Sequence, residues 1–218
     1  MSKFSNEKII EYYDVGEQSY RDIWHLDSAL SMHYGFWEKG VSNLKQALIK
    51  EIEVLANVVQ INSEDKVLDA GCGVGGSSIY LAERIGCEVI GITLSEHQVN
   101  KATQSAKYRN LDSLVSFQKM DFHQTSFKEN SFDVIWFLES FCHSDDFEIL
   151  VKEVFRLLKP NGRLMIADGF SSNSHFSKNE KQTMDKWLNN WAIDYLATSK
   201  SVIDVLEATQ FKNITIQF

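Results

Sequence analysis

The stretch that decides the fold is "KVLDAGCGVGGSS" (66–78). Its first five residues, Lys66 to Ala70, predict a short apolar strand, and the small and apolar residues of 76–86 predict a helix. Between them stand Gly71, Gly73, Gly75 and Gly76, four glycines in six positions. Glycine at such density lets the backbone approach another group closely or adopt angles closed to other residues. Gly71, Gly73 and Gly76 match the G-x-G-x-x-G pattern, which is weak by itself. Strand, glycine turn and helix together open a βαβ unit, so the rest of the chain is read for the same alternation.

The alternation continues. "EVIGIT" (88–93), "VSFQKM" (115–120), "FDVIWFL" (132–138), "RLMIAD" (163–168) and "FKNITIQF" (211–218) read as further strands. Ser95 caps a helix that runs to about Tyr108. A helix over 146–158 stops at Lys159-Pro160-Asn161-Gly162, where a turn is expected. Residues 176–197 and 200–209 predict two later helices. Ahead of the glycine loop, 5–24 is helical, with Ile9, Ile10, Tyr13 and Tyr20 recurring at helical spacing. The aromatic stretch "HYGFW" (33–37) follows, and then an amphipathic helix over 41–58 with Leu44, Leu48, Ile52 and Leu55 on one face. This order predicts an α/β fold: a doubly wound, Rossmann-like, mostly parallel sheet with flanking helices. Ligands in such sheets sit at the carboxyl ends of the strands, near the point where strand order reverses.

Bulk composition narrows the function classes. The 218 residues are 44% hydrophobic with one proline, enough for a single α/β domain with a real core. Net charge is −8 and no basic cluster stands out, so no nucleic-acid partner is expected. The three cysteines (Cys72, Cys87, Cys142) are odd in number and read as reduced thiols of a cytoplasmic protein. They lack metal-ligand spacing, and no metal is expected. The first ten residues lack the apolar core of a signal peptide, and no run approaches the ~20 apolar residues of a membrane span.

The glycine loop allows several ligands. A dinucleotide would require a carboxylate about 20 residues on, at the end of the second strand, but that strand ends Gly91-Ile92-Thr93-Leu94-Ser95. A P-loop fails for want of Gly-Lys-Ser/Thr. Asp69 precedes the first glycine, giving D-x-G-x-G-x-G (Asp69, Gly71, Gly73, Gly75). A carboxylate there repels pyrophosphate and suits a ligand that bears an ammonium group.

The block from Lys66 to Ala102 resembles the cofactor half of class I S-adenosylmethionine-dependent methyltransferases, in particular the tocopherol and sterol C-methyltransferase branch. "GITLS" followed by Gln98 is the signature of that branch. The resemblance implies that Asp69, Gly71, Cys72, Gly73 and Gly75 hold the methionine part of S-adenosylmethionine, and that Thr93, Leu94 and Gln98 serve the ribose. Asp121 in "KMDFHQTSF" matches the acceptor of the adenine amino group, with Phe122 beside it. The likeness runs from about residue 8 to 218 and implies a small-molecule methyltransferase, expected to act on carbon of a prenyl, sterol or aromatic acceptor. An N-methyltransferase of a small amine and a non-catalytic cofactor-binding protein are the alternatives.

The same resemblance distributes the remaining roles. "ESFCH" (139–143) follows the fourth strand, where a methyl group would point, so His143 is the expected base or orienting group and Glu139 its charge partner at the sulfonium. Residues 1–60 would form a helical lid over a core of 61–218, with Tyr12 or Tyr13 and Tyr20 closing on the cofactor. Those tyrosines fit an ordinary core stripe almost as well. Trp24, His33, Tyr34 and Trp37, with Trp191 and Tyr195 from an acceptor lid at about 170–198, would line the acceptor pocket or pack the lid. Family sheets end in an antiparallel hairpin, and here the last antiparallel strand is missing after "FKNITIQF". Truncation, an open edge, or completion by a partner chain in a homo-oligomer would each account for that.

Overall fold

A computed structural model describes residues 4–24, 26–172 and 175–217. Its centre is a five-stranded sheet in the order β3-β2-β1-β4-β5. The strands are β1 (Lys66–Ala70), β2 (Glu88–Thr93), β3 (Val115–Lys119), β4 (Phe132–Leu138) and β5 (Leu158–Ala167). Every pairing is parallel. The order reverses between β1 and β4, so the carboxyl ends of these two strands frame a crevice. Parallel strands buried on both faces need continuous apolar runs, and β4 supplies one: six of its seven residues are buried.

Helices cover both faces. α4 (Gly76–Ile85), α5 (Glu96–Tyr108), α6 (Phe147–Leu157) and α8 (Ser199–Ala208) are the crossovers and flanks, joined by α3 (Leu44–Val58). Local chemistry sets where they begin: Ser95 Oγ accepts the Gln98 N–H, Asp146 the Ile149 N–H, and Thr198 the Ser201 N–H. One core lies between the sheet and α6–α8, built on Phe132, Ile135, Phe137 and Phe141. The other lies under α3 to α5, built on Val67, Val89, Val134 and Trp136. The first helix, α1 (Asn6–Trp24), reaches over the crevice and is tied to α5 by Asp14–Ser95 and by Glu17 with His97 and Lys101. A one-turn α2 (Leu26–Ala29) follows it.

Three sequence expectations change. The turn at 159–162 is absorbed into β5: β4 advances two residues, Phe132 to Val134, while β5 advances five, Leu158 to Arg163. A bulge of this kind keeps the ladder while Asn161 takes a positive φ of 64°. The late helix is shorter than 176–197, because α7 (Lys178–Asn189) ends before Ala192, whose φ is 51°. Trp191 and Tyr195 therefore stand on irregular chain. The sixth strand is absent over 211–217, and Phe218 lies outside the described residues. Phe211 and Ile214 still pack on the core. Ile216 is 42% exposed, so the alternating pattern is expressed neither as a backbone ladder nor as alternating burial. Among the described residues β5 has no strand on its outer side.

Candidate functional site

The glycine loop leaves β1 and turns into α4. Its first two amides, of Gly71 and Cys72, both donate to the Ile92 carbonyl at 2.9 Å, which pins the loop to the end of β2. Gly71 has φ 87°, and a Cβ on it would overlap the Ser140 side chain. Ser140 is held in turn by its Oγ donating to the Ala70 carbonyl at 2.6 Å. Gly73 has φ 53°, and a Cβ there would meet Met32 at 2.9 Å. Only glycine combines this backbone with this proximity.

Beside the loop opens a cleft of about 980 Å³, counting the space open to solvent. Of the residues singled out in the sequence, Tyr13, His33, Gly71, Cys72, Gly73, Thr93, Leu94, Gln98, Asp121, Phe122, Glu139 and His143 line it. The others are placed elsewhere. Asp69 is 1% exposed and its Oδ2 accepts the hydroxyls of Ser77 and Ser78 at 2.5 and 2.6 Å. Burial raises its carboxyl above the usual range, against the pull of those bonds. Gly75 lies against Phe117 and Ala102. Tyr12 and Tyr20 share a hydroxyl contact of 3.0 Å. Trp24 donates its indole N–H to the His33 carbonyl at 2.9 Å. Trp37 is 60% exposed, and Tyr195 packs edge-on against Phe147.

One end of the cleft is polar and fixed. Thr93 Oγ1 donates to Gln98 Oε1 at 2.6 Å, which sets the orientation of the amide. Asp121 accepts from the backbone and ring of His123, and from Asn6 of α1 at 2.8 Å. The bond from the His123 ring holds the Asp121 carboxyl down at about 2.

The other end gathers the titratable groups. His143 Nε2 is 2.8 Å from the Tyr13 hydroxyl, joining the loop after β4 to α1. Burial lowers His143 to about 4 and pushes the Tyr13 phenol well above its usual value, so this pair is neutral near pH 7. Glu139 takes a φ of 49°, rare for a residue with a side chain. It accepts the Tyr34 N–H at 2.9 Å. Burial, with added repulsion from Glu51 and Asp168, raises Glu139 to about 8.

Several contributors escaped the sequence reading. His123 bridges Asp121 and Ser144 Oγ. Asp168 accepts the Cys142 N–H at 2.9 Å. Glu51 lies on the buried face of α3 and meets His33. Its position three residues after Leu48 and four before Leu55 puts a carboxylate on an apolar stripe, and that was a readable signal. His33, Glu51 and Glu139 bring one donor atom each within 4.8 Å of one another, a grouping the cysteine-based metal reading did not consider.

Residues 68–166 match the family model described as a methyltransferase domain. This chain is a methyltransferase-domain protein. It is 33% identical over 174 residues to sterol 24-C-methyltransferase of Kluyveromyces lactis, covering 80% of this chain and 46% of that one. It is 30% identical over 223 residues to chloroplastic tocopherol O-methyltransferase of Arabidopsis thaliana, covering 94% of this chain and 63% of that one. The chain thus spans about half the length of these curated relatives. A geranyl diphosphate methyltransferase solved with GPP and sinefungin superposes with a TM-score of 0.81 at 21% identity, over 94% of this chain and 80% of that one. That likeness establishes the shared fold. Among the described residues no helix is long and apolar enough to cross a membrane.

Proposed function

We propose that this methyltransferase domain transfers a methyl group from S-adenosylmethionine to a small, largely apolar acceptor that carries no phosphate. The supporting observation is that the glycine loop, Gln98, Asp121 and the Tyr13–His143 pair converge on one cleft. The donor fits it. Gly71 and Gly73 give the loop the positive φ angles that carry its backbone along the cleft wall. Asp121 Oδ2 has one protein donor, Asn6, and a second lone pair for an exocyclic amino group. When bound, the donor supplies an electrophilic methyl on a sulfonium.

The chain's own groups then have separable tasks. The neutral Tyr13–His143 pair orients the acceptor and receives its proton, while Glu139 supplies negative charge next to the positive centre. Closure by α1 excludes water, and alignment of the reacting atoms accounts for most of the acceleration. Among the described residues the cleft wall contains no lysine or arginine, so they provide no fixed cation for the diphosphate of a GPP-like acceptor. The sterol and tocopherol relatives act on acceptors of the kind this wall favours. A small amine is the second reading, supported by the Tyr13–His143 bond, since a neutral amine needs only a hydrogen-bonding pair to orient it.

The test is a screen with methyl-labelled donor against apolar phenols, prenyl alcohols, sterols and amines, with mass identification of the product. Transfer to an apolar acceptor, crippled by His143→Ala and Glu139→Gln, is the expected result. Donor binding with no transfer to any acceptor would leave a cofactor-binding protein. Transfer to amines alone would select the second reading.

A further inference from the structure

The cleft holds a polar group for which no task has yet been found. His33 Nδ1 lies 2.6 Å from Glu51 Oε2, and the two side chains are 7% and 5% exposed. Glu51 Oε2 also accepts the Gly35 N–H at 2.9 Å, so the carboxylate is held from two directions. In the neutral ring, a carboxylate opposite Nδ1 keeps the proton there and leaves Nε2 with a free lone pair. Nε2 is buried and has no hydrogen-bond partner in the protein, although His33 lines the cleft. An acceptor in that state bears the full desolvation cost unless a ligand supplies a donor.

Its surroundings indicate which donor. Met32, the residue before it, reaches Gly73 of the glycine loop with the end of its side chain. His33 therefore belongs to the glycine-loop end of the cleft, where the amino-acid part of the donor would lie. Asp69, the residue the sequence offers for the ammonium group, is occupied by Ser77 and Ser78 and is absent from the cleft wall. The neighbourhood of His33 is acidic, with donor atoms of Glu51 and Glu139 within 4.8 Å. A cation is favoured there.

We propose that His33 Nε2, oriented by Glu51, accepts a hydrogen bond from the α-ammonium group of the methyl donor, the task the sequence assigns to Asp69. His33 is then a binding residue and Glu51 its positioning residue. The inference rests on reading the cleft as the S-adenosylmethionine site.

The test is calorimetry in EDTA with three ligands: S-adenosylhomocysteine, its deamino analogue, and 5′-methylthioadenosine, which lacks the whole amino-acid end. His33→Phe is expected to weaken S-adenosylhomocysteine by about 10–100-fold and to leave the other two ligands within about 3-fold. Glu51→Gln keeps an acceptor for Nδ1–H and should give the same selectivity at about 3–10-fold, which decides the matter even where His33→Phe does not fold. Equal losses on all three ligands would make the pair structural and overturn the proposal. So would a loss that persists on the deamino analogue and vanishes on methylthioadenosine, since the carboxylate would then be the contacted group. Binding that required added magnesium or zinc would turn the cluster into a metal site and overturn the proposal as well. Wild-type protein that binds none of the three overturns the donor site itself, whereas selective binding without methyl transfer strikes only the proposed reaction.

Discussion

The two ends of the cleft are built by different rules. The donor end is made of consecutive residues at the tips of β1 and β2, where one carbonyl, Ile92, takes two loop amides and buried strands lie underneath. The acceptor end is assembled from three distant pieces: α1, Tyr34 of the aromatic stretch, and the turn after β4. Its contacts join Tyr13 to His143 and Tyr34 to Glu139, more than a hundred residues apart in each case. Outside the cleft wall, Tyr34, Trp37 and Trp187 are 52%, 60% and 43% exposed. Local construction makes a rigid cradle that one side chain can block. Long-range construction makes a surface in which single groups tune chemistry while the fold survives.

The largest effect should fall on chemistry at the acceptor end. His143→Ala is expected to lower kcat by about 10²–10⁴-fold, with S-adenosylhomocysteine affinity by calorimetry unchanged within about 3-fold. Tyr13→Phe removes the 2.8 Å bond and should cost about 10-fold. If His143→Ala abolished donor binding as well, the two ends would be one unit and the contrast would fail. Next comes Gly71→Ala at the donor end. A positive φ of 87° and the overlap with Ser140 should cost about 2–4 kcal/mol of stability in urea unfolding. Donor binding should fall with it. A variant as stable as wild type would show the loop to be softer than its hydrogen bonds suggest.

The same contrast explains what the sequence revealed. The boundaries of β1, β2 and β4 were legible because their apolar runs, with glycines beside β1 and β2, are local signals. Thr93, Gln98 and Asp121 were reached through the family resemblance, and all three line the cleft. Asp69 was legible as a carboxylate before a glycine, but not as a partner of Ser77 and Ser78, because the ligand and the helix start compete for the same oxygens. Glu51 was hidden for the opposite reason, since its partner His33 depends on how α3 packs under the 30–37 stretch. "FKNITIQF" shows how far a local pattern reaches: the alternation was real, but strand formation depends on a neighbouring edge.

A smaller effect, with a defined sign in pH, should come from Glu139. Its pKa rises from 4.5 to about 8 on folding, chiefly through burial. Between those values the folded chain holds a proton that the unfolded chain releases, so stability falls as pH rises through the window. Glu139→Gln removes that dependence. It should be close to neutral at pH 4.5 and stabilising by about 1–3 kcal/mol at pH 8.5, after allowance for the partly exposed side chain. Urea unfolding at the two pH values measures it, and an equal effect at both would mean that Glu139 is not desolvated. A bound sulfonium should pull the proton off, so donor binding near pH 7 should release protons to the buffer.

The smallest effect belongs to the aromatic rim. Rings run in sequence from the His143 end of the cleft to the surface: Tyr13, Tyr20, Trp24, Tyr34, Trp191 and Trp187, with neighbouring centroids 5.4–6.4 Å apart. Trp191 occupies the step where the row leaves the α1 side and joins the chain after α7, and it also packs on the small cluster of Cys142, Leu188 and Ile193. A contact made alike in ground and transition states changes KM and leaves kcat alone. If the rim guides an apolar acceptor, Trp191→Ala should raise its KM by about 3–10-fold, the equivalent of about 0.5–1.5 kcal/mol of aromatic contact, with kcat unchanged. If the ring only packs the turn, melting temperature should fall and KM should stay where it was. The two outcomes separate because only a ring that touches the acceptor changes KM, whereas loss of packing on the Cys142 cluster changes stability.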